Sequence, residues 1–132
     1  GLAVLEGGRW AFYRPLAWLE NEIVQAIHLE GGREGNPIVW VGTRANGIWS
    51  FREGSWFQHS IPSKAQSRVM DLAITASPDG RSWLWASFQH MGFGRLELGK
   101  QDAPWTLYRT GQLPGVSGTA FTLLPPDLKG HL

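Results

Sequence analysis

The chain has 132 residues, 42% of them hydrophobic, with eight tryptophans, so it carries ample apolar surface for a core and is not disordered through low hydrophobicity. Twelve basic and 11 acidic side chains leave a formal charge of +1 without charged runs, which gives no field to collect nucleic acid or a membrane surface. The absence of cysteine excludes a disulfide framework and a thiolate metal site, and suits a reducing cytosol and a periplasm equally.

In chain order, Gly1-Leu2, Leu5, Gly8, Trp10 and Tyr13 form a pattern that returns later as Gly47-Ile48, Phe51, Gly54, Trp56 and His59. Arg14 to Asn21 reads as a link. Ile23 to Leu29 is the first full strand, ended by Gly31-Gly32 and Gly35-Asn36-Pro37. Ile38 to Val41 is apolar on both faces and is expected at the centre of a sheet. Such uninterrupted apolar runs stay far below the roughly 20 residues that span a bilayer. A turn at Arg44-Ala45-Asn46-Gly47 leads to Ile48 to Phe51, and Glu53-Gly54 leads to Ser55 to His59. After a second link, Ile61 to Ser67, the strands come again as Arg68 to Thr75, Ser82 to Ser87, Phe93 to Leu98 and Pro104 to Arg109. Pro78-Asp79-Gly80 is the hairpin turn between the first two. A third link, Thr110 to Gly118, precedes Thr119 to Leu132, which reads like the run leading up to Trp40 and Trp85. No window longer than about ten residues keeps a helical period without Gly or Pro.

The two sets of strands superpose as sequence. At an offset of about 45 residues, Val24 falls on Val69, Ile27 on Leu72, Leu29 on Ile74, Trp40 on Trp85 and Gly47 on Gly92. Four antiparallel strands recurring at this period, rich in Trp and Gly, describe blades of a β-propeller. A β-sandwich also has many short strands, but it gives no reason for them to recur in register. The expected architecture is all-β and an incomplete propeller. Residues 1–16 form the second half of a blade, 17–61 one blade, 62–110 another, and 111–132 the first half of a further blade. Trp40, Trp85, Trp56 and Trp105 are the expected fillers between blades. Blades at the two ends of an open stack expose apolar faces and strand edges. The expectation is therefore that either a longer parent chain supplies further blades or the fragment self-associates, half blade to half blade.

The run Trp40-Val-Gly-Thr43, three residues, Gly47-Ile48, Phe51, Gly54 and Trp56 resembles the two-component regulator propeller repeat. That pattern is a tryptophan, an aliphatic residue, Gly-Thr, a short turn and Gly-Leu or Gly-Ile. The opening Gly1-Leu2, Leu5, Gly8 and Trp10 resembles its tail, and Asp79-Gly80 and Lys129-Gly130 its hairpin. The second copy departs from the pattern, with Trp85-Ala-Ser-Phe88 in place of the Gly-Thr and four extra residues between Gly99 and Trp105. The resemblance implies an extracytoplasmic, periplasmic sensor domain of a signal-transduction protein. Its propeller would bind a signal, frequently a carbohydrate, with no direct membrane contact of its own and with the output in a kinase, cyclase or DNA-binding domain elsewhere in the parent chain.

No catalytic constellation is visible. His28, His59, His90 and His131 lack paired spacing, and there is no H-E-x-x-H motif, so neither a metal site nor a cofactor is expected. Ser77-Pro-Asp79-Gly80-Arg-Ser82-Trp83 resembles the aspartate box of sialidase-like propellers with altered spacing, and reads as a hairpin turn. Glycoside hydrolysis needs two facing carboxylates, and spacing does not join any pair among Glu20, Glu22, Glu30, Glu34, Glu53, Asp71 and Asp102. Asp71, in an otherwise apolar strand, needs hydrogen-bond partners, either as an acceptor for a loop or as a ligand contact.

Ligand contacts are expected on the loops at one end of the blades, since the strands are committed to packing. The candidate ligand-binding residues are Trp18, Arg44, Asn46, Lys64, Gln89 and His90, whose aromatic and planar polar groups suit sugars. The segment is thus expected to bind a ligand and not to catalyse. The alternatives from other classes are a segment of a carbohydrate-active enzyme and a protein-binding scaffold.

Overall fold

The computed structural model describes residues 1–13, 17–31, 36–61, 68–100 and 102–108. Lys64, most of the second link, the third link and the half blade expected at 111–132 lie outside them. Ten strands carry the fold: β1 (Leu2–Glu6), β2 (Arg9–Tyr13), β3 (Val24–Glu30), β4 (Ile38–Thr43), β5 (Ile48–Arg52), β6 (Ser55–His59), β7 (Val69–Ala76), β8 (Ser82–Phe88), β9 (Gly92–Glu97) and β10 (Thr106–Tyr108). They form a two-stranded hairpin β1-β2 and two four-stranded antiparallel sheets, β3-β4-β5-β6 and β7-β8-β9-β10, each joined consecutively in space. The protein is all-β, built of blade-like meanders, and the described blades do not close into a ring.

Two local departures from the sequence reading have simple causes. The link expected at Arg14 to Asn21 contains a single helical turn, α1 (Ala17–Glu20), whose Ala-Trp-Leu-Glu run holds good helix formers. Its Leu19 is 1% exposed, so burial of one leucine anchors the turn. The last strand starts only at Thr106, because Pro104 has no N–H to give to a ladder.

Turn chemistry fixes the hairpins. Arg52 pairs with Ser55 and Glu6 with Arg9, leaving two-residue loops. Both loops, Glu53-Gly54 and Gly7-Gly8, have positive φ at each position, the mirror-image turn whose twist matches that of the flanking strands.

The repeat extends to the hydrogen bonding of the first hairpin of each blade. In the first hairpin of each blade the register shifts at one place, between Val24 and Ala26 and again between Val69 and Asp71. Both positions are related by the sequence offset. The Arg44 N–H donates to the Ile23 carbonyl and the Gln89 N–H to that of Arg68, each at 2.9 Å. The Trp40 indole donates to Glu30 Oε2 at 2.9 Å, and the Trp85 indole to Thr75 Oγ1 at 2.8 Å. Each tryptophan thereby bonds to the residue two places beyond its own ladder partner while its ring fills space.

Stacking of the blades makes the core. Strand β7 packs on β3 and β4, and the buried cluster joins Ala26, Trp40 and Ile48 of the first blade to Val69, Leu72, Leu84, Ala86 and Phe88 of the second. The Trp105 indole reaches back to donate to the Ser60 carbonyl at 2.7 Å. The opposite face of the first blade lacks such cover on its inner strands. Leu72 is 4% exposed, whereas its counterpart Ile27 is 55% exposed and Leu29 is 59% exposed. The β1-β2 hairpin lies along the outer part of that face, where Leu2 and Val4 border a groove with Val39, Phe51 and Trp56.

The two blades approach closely at Gly42. A Cβ there would lie 2.5 Å from Val69 Cγ1, a distance no real side chain tolerates. Gly42→Ala is expected to destabilise the chain by about 1–3 kcal/mol through overpacking, read as a shift of the urea midpoint. Shortening the neighbour in Gly42→Ala/Val69→Ala should recover part of that loss; a double variant no better than the sum of its singles would show that this contact does not set the stacking.

Candidate functional site

The turn between β4 and β5 is held by an unusual set of polar groups. Glu22 is 8% exposed although it carries a carboxylate. Its Oε1 accepts from the Ile23 N–H at 3.0 Å and the Ala45 N–H at 3.1 Å, and its Oε2 accepts from the Asn46 side-chain amide. Charge-assisted bonds of this kind are the strong ones, and they offset the cost of burying the acid. Thr43, fully buried, adds a second clamp: its hydroxyl donates to the Gly47 carbonyl at 2.9 Å and accepts from the Asn46 N–H at 2.9 Å. The Asn46 carbonyl then receives the Trp49 indole at 2.9 Å and the Gln58 amide at 3.3 Å. A loop of small and polar residues is thus fixed on every side by the strands beneath it.

Beside this clamped turn lies an open concavity of about 890 Å³, lined by Arg44, Asn46, Gly47, Gln58, Ser60 and Ile61. Two of the residues expected to bind ligand, Arg44 and Asn46, meet here. Arg44 is exposed, with its backbone tied to Ile23, while the Asn46 side chain is oriented by Glu22. Gln89 and His90 occupy the equivalent turn of the second blade; Gln89 is half-buried and His90 is exposed at a φ of 67°. Trp18 lies on α1. Lys64 lies outside the described residues. Glu22, Gln58 and Ser60 belong to the site but were not among the expected binding residues. Gln58 was open to discovery, because strand alternation through Ser55 to His59 sets it beside Trp49 in the ladder.

Beside the concavity the half-buried His59 forms a polar pair with a buried serine. Its Nε2 lies 2.7 Å from Ser50 Oγ, and its ring sits 4.6 Å from that of Trp40. Ser50 is 2% exposed, and its hydroxyl is tied to His59. Asp71, half-buried, accepts from the Leu72 N–H at 2.9 Å, beside the bulge in β7. The Asp79 carboxylate accepts from the backbone N–H and the Nε of Arg81, and the Trp83 indole donates to Ser77 Oγ, so the Ser77 to Trp83 run is a bonded hairpin turn. Among the described residues no group of three His, Asp or Glu is placed to hold a metal ion, and no helix is long and apolar enough to cross a membrane. Comparison with protein-family models, with curated proteins and with solved structures gives no match to this chain.

Two measurements test this geometry. Glu22→Ala removes the acceptor of three bonds and is expected to cost about 1–3 kcal/mol, with faster amide hydrogen exchange at Ala45; unchanged exchange there would remove Glu22 from the clamp. Burial, and secondarily the Arg52 guanidinium, hold the His59 imidazole below its usual value. The folded state therefore binds this proton less well than the unfolded chain. Stability from His59 is complete above the unfolded pKa of about 6.5 and declines as pH falls through the folded value. His59→Gln should flatten the fall in urea midpoint between pH 7.5 and 5; an identical slope in the variant would contradict the assignment.

Proposed function

We propose that this chain is a non-catalytic, ligand-binding propeller segment of an extracytoplasmic sensor domain, and that the ligand docks at the clamped β4-β5 turn. The observation that carries this reading is the investment of a buried carboxylate, a buried threonine and an asparagine in rigidifying one exposed turn beside an open concavity. Rigid polar groups bind with little further loss of conformational freedom. Arg44, Gln58, Ser60 and the Asn46 amide plane offer donors and acceptors to a hydroxylated ligand, and Ile61 an apolar edge. That chemistry fits a carbohydrate. The likeness of Trp40 to Trp56 to the two-component regulator propeller repeat supports the sensor role.

The test is a nuclear magnetic resonance titration of the chain with a panel of neutral mono- and disaccharides. Saturable shifts are expected at the amides of Arg44 to Gly47 and of Gln58 to Ile61, with affinity lowered about fivefold or more in Arg44→Ala through loss of a charged hydrogen bond. Released sugar should be absent after long incubation. Shifts confined to Ile27, Leu29 and β1, or hydrolysis of a disaccharide, would each replace this reading.

A further inference from the structure

A second cleft, of about 580 Å³, lies between the blades beyond His59. Its wall on the first blade carries Glu30, Ile38 and Arg52, and its wall on the second carries Leu96 and Leu98. Glu30 pairs with Ile38 across β3 and β4, and the β4-β5 register, which sets Val39 against Phe51, continues to Ile38 beside Arg52. An acid and a base therefore stand on one face in one row, with a single isoleucine between them. Two strand spacings separate their backbones by about 10 Å.

These charges are not spent on each other. Among the described residues the ion pairs are Arg81 with Asp79 and Lys100 with Glu97. Glu30 uses Oε2 to accept the Trp40 indole, and the Arg52 guanidinium rests 4.6 Å over the ring of Phe57. Lys100 and Glu97, which also line the cleft, neutralise one another at 2.8 Å. Among the described residues, Glu30 Oε1 and the exposed Arg52 guanidinium then border a gap whose far wall holds Leu96 and Leu98 beside the ion pair of Lys100 with Glu97. The corresponding row of the second blade reads Thr75, Trp83 and Glu97. The same scaffold thus accepts a neutral acceptor, a bulky filler and the opposite charge, so the blade needs an acceptor for its tryptophan at the first position but not the charges of Glu30 and Arg52.

We propose that this cleft binds a free α-amino acid with an apolar side chain. The carboxylate would lie on the Arg52 guanidinium in a two-bond fork, the ammonium on Glu30 Oε1, and the side chain against Leu96 and Leu98. A ligand with one charge makes one of the two charged contacts and forgoes the other, which is the basis for selection. This site is separate from the β4-β5 turn and stands or falls without it.

The experiment is calorimetric titration of the full chain with L-leucine, 4-methylpentanoate and 3-methylbutylamine. The expected result is saturable binding of leucine, with each singly charged analogue weaker by about tenfold or more, as for loss of one charged hydrogen-bonded contact. Glu30→Gln and Arg52→Met should each weaken leucine binding by a similar factor while the circular dichroism spectrum and urea midpoint stay near those of the parent chain. Arg44→Ala should leave leucine binding unaltered. Equal binding of all three compounds, no saturation by leucine up to solubility, or full binding by folded Glu30→Gln would overturn the proposal.

Discussion

The close seat of Val69 on Gly42 is the constraint from which the stacking follows. A sheet with two apolar faces is unstable alone, and two such sheets approach closely only where one backbone is bare. Gly42 is that place: it sits in a central strand, fully covered, with the valine that opens the next blade against it. Once this contact is made, Leu72, Leu84 and Phe88 close over Trp40 and Ile48, and the Trp105 indole is carried to the Ser60 carbonyl. The strand order within each blade is local, set by short turns. The relation between the blades is the non-local step, and it rests on this glycine and valine.

Polar groups at the blade end extend the same logic. Burial of the end of strand β4 leaves the β4-β5 loop with backbone N–H groups beside a dry core, where an unmet donor is costly. Glu22, just before β3, meets one of these N–H groups, that of Ala45, together with the N–H of its own neighbour Ile23 and the Asn46 amide. Thr43 and the Asn46 carbonyl complete the set. A turn so bonded is rigid, and a rigid turn at the rim of a concavity can hold a ligand in place. The packing of the blades and the readiness of the site are therefore linked through residues 22–23 and 43–47.

Much of the architecture was legible in the residues because strands announce themselves by alternation and their limits by turn chemistry. All eight strands expected between residues 23 and 109 are present, the outermost shortened by Pro104. The helical turn at Ala17–Glu20 was not legible, since four residues carry no period and burial of Leu19 decides it. The site was legible in part. Arg44 and Asn46 fall on the turn that the Asn-Gly pair marks. Glu22 stands 23 residues from the N–H of Ala45 that it meets, and its part could be seen only once β3 and β4 had brought them together. The row of Glu30, Ile38 and Arg52 was hidden for the same reason, because register across three strands is a property of the ladder and not of spacing along the chain.

A repeat protein carries its own control. Positions that agree between the two blades, such as the paired bulges, the Trp40 and Trp85 indole bonds and the Arg44 and Gln89 backbone bonds, are those the blade needs in order to form. Positions that differ are released from that duty. Ser50 becomes Arg95, which lies 4.3 Å over the Trp83 ring, and the His59 position becomes Tyr108, stacked 4.9 Å from Phe93. The second blade has thus turned the face away from the first into an aromatic and cationic stack. The first blade has kept on its own face a buried hydroxyl, a half-buried imidazole and carboxylate, and the exposed Arg52 at the rim. Where an apolar filler would satisfy packing, a buried polar arrangement adds desolvation cost that stability alone does not reward. Chemistry in this protein is therefore to be sought in the differences between its blades, and in the first blade those differences converge on the clefts that His59 divides.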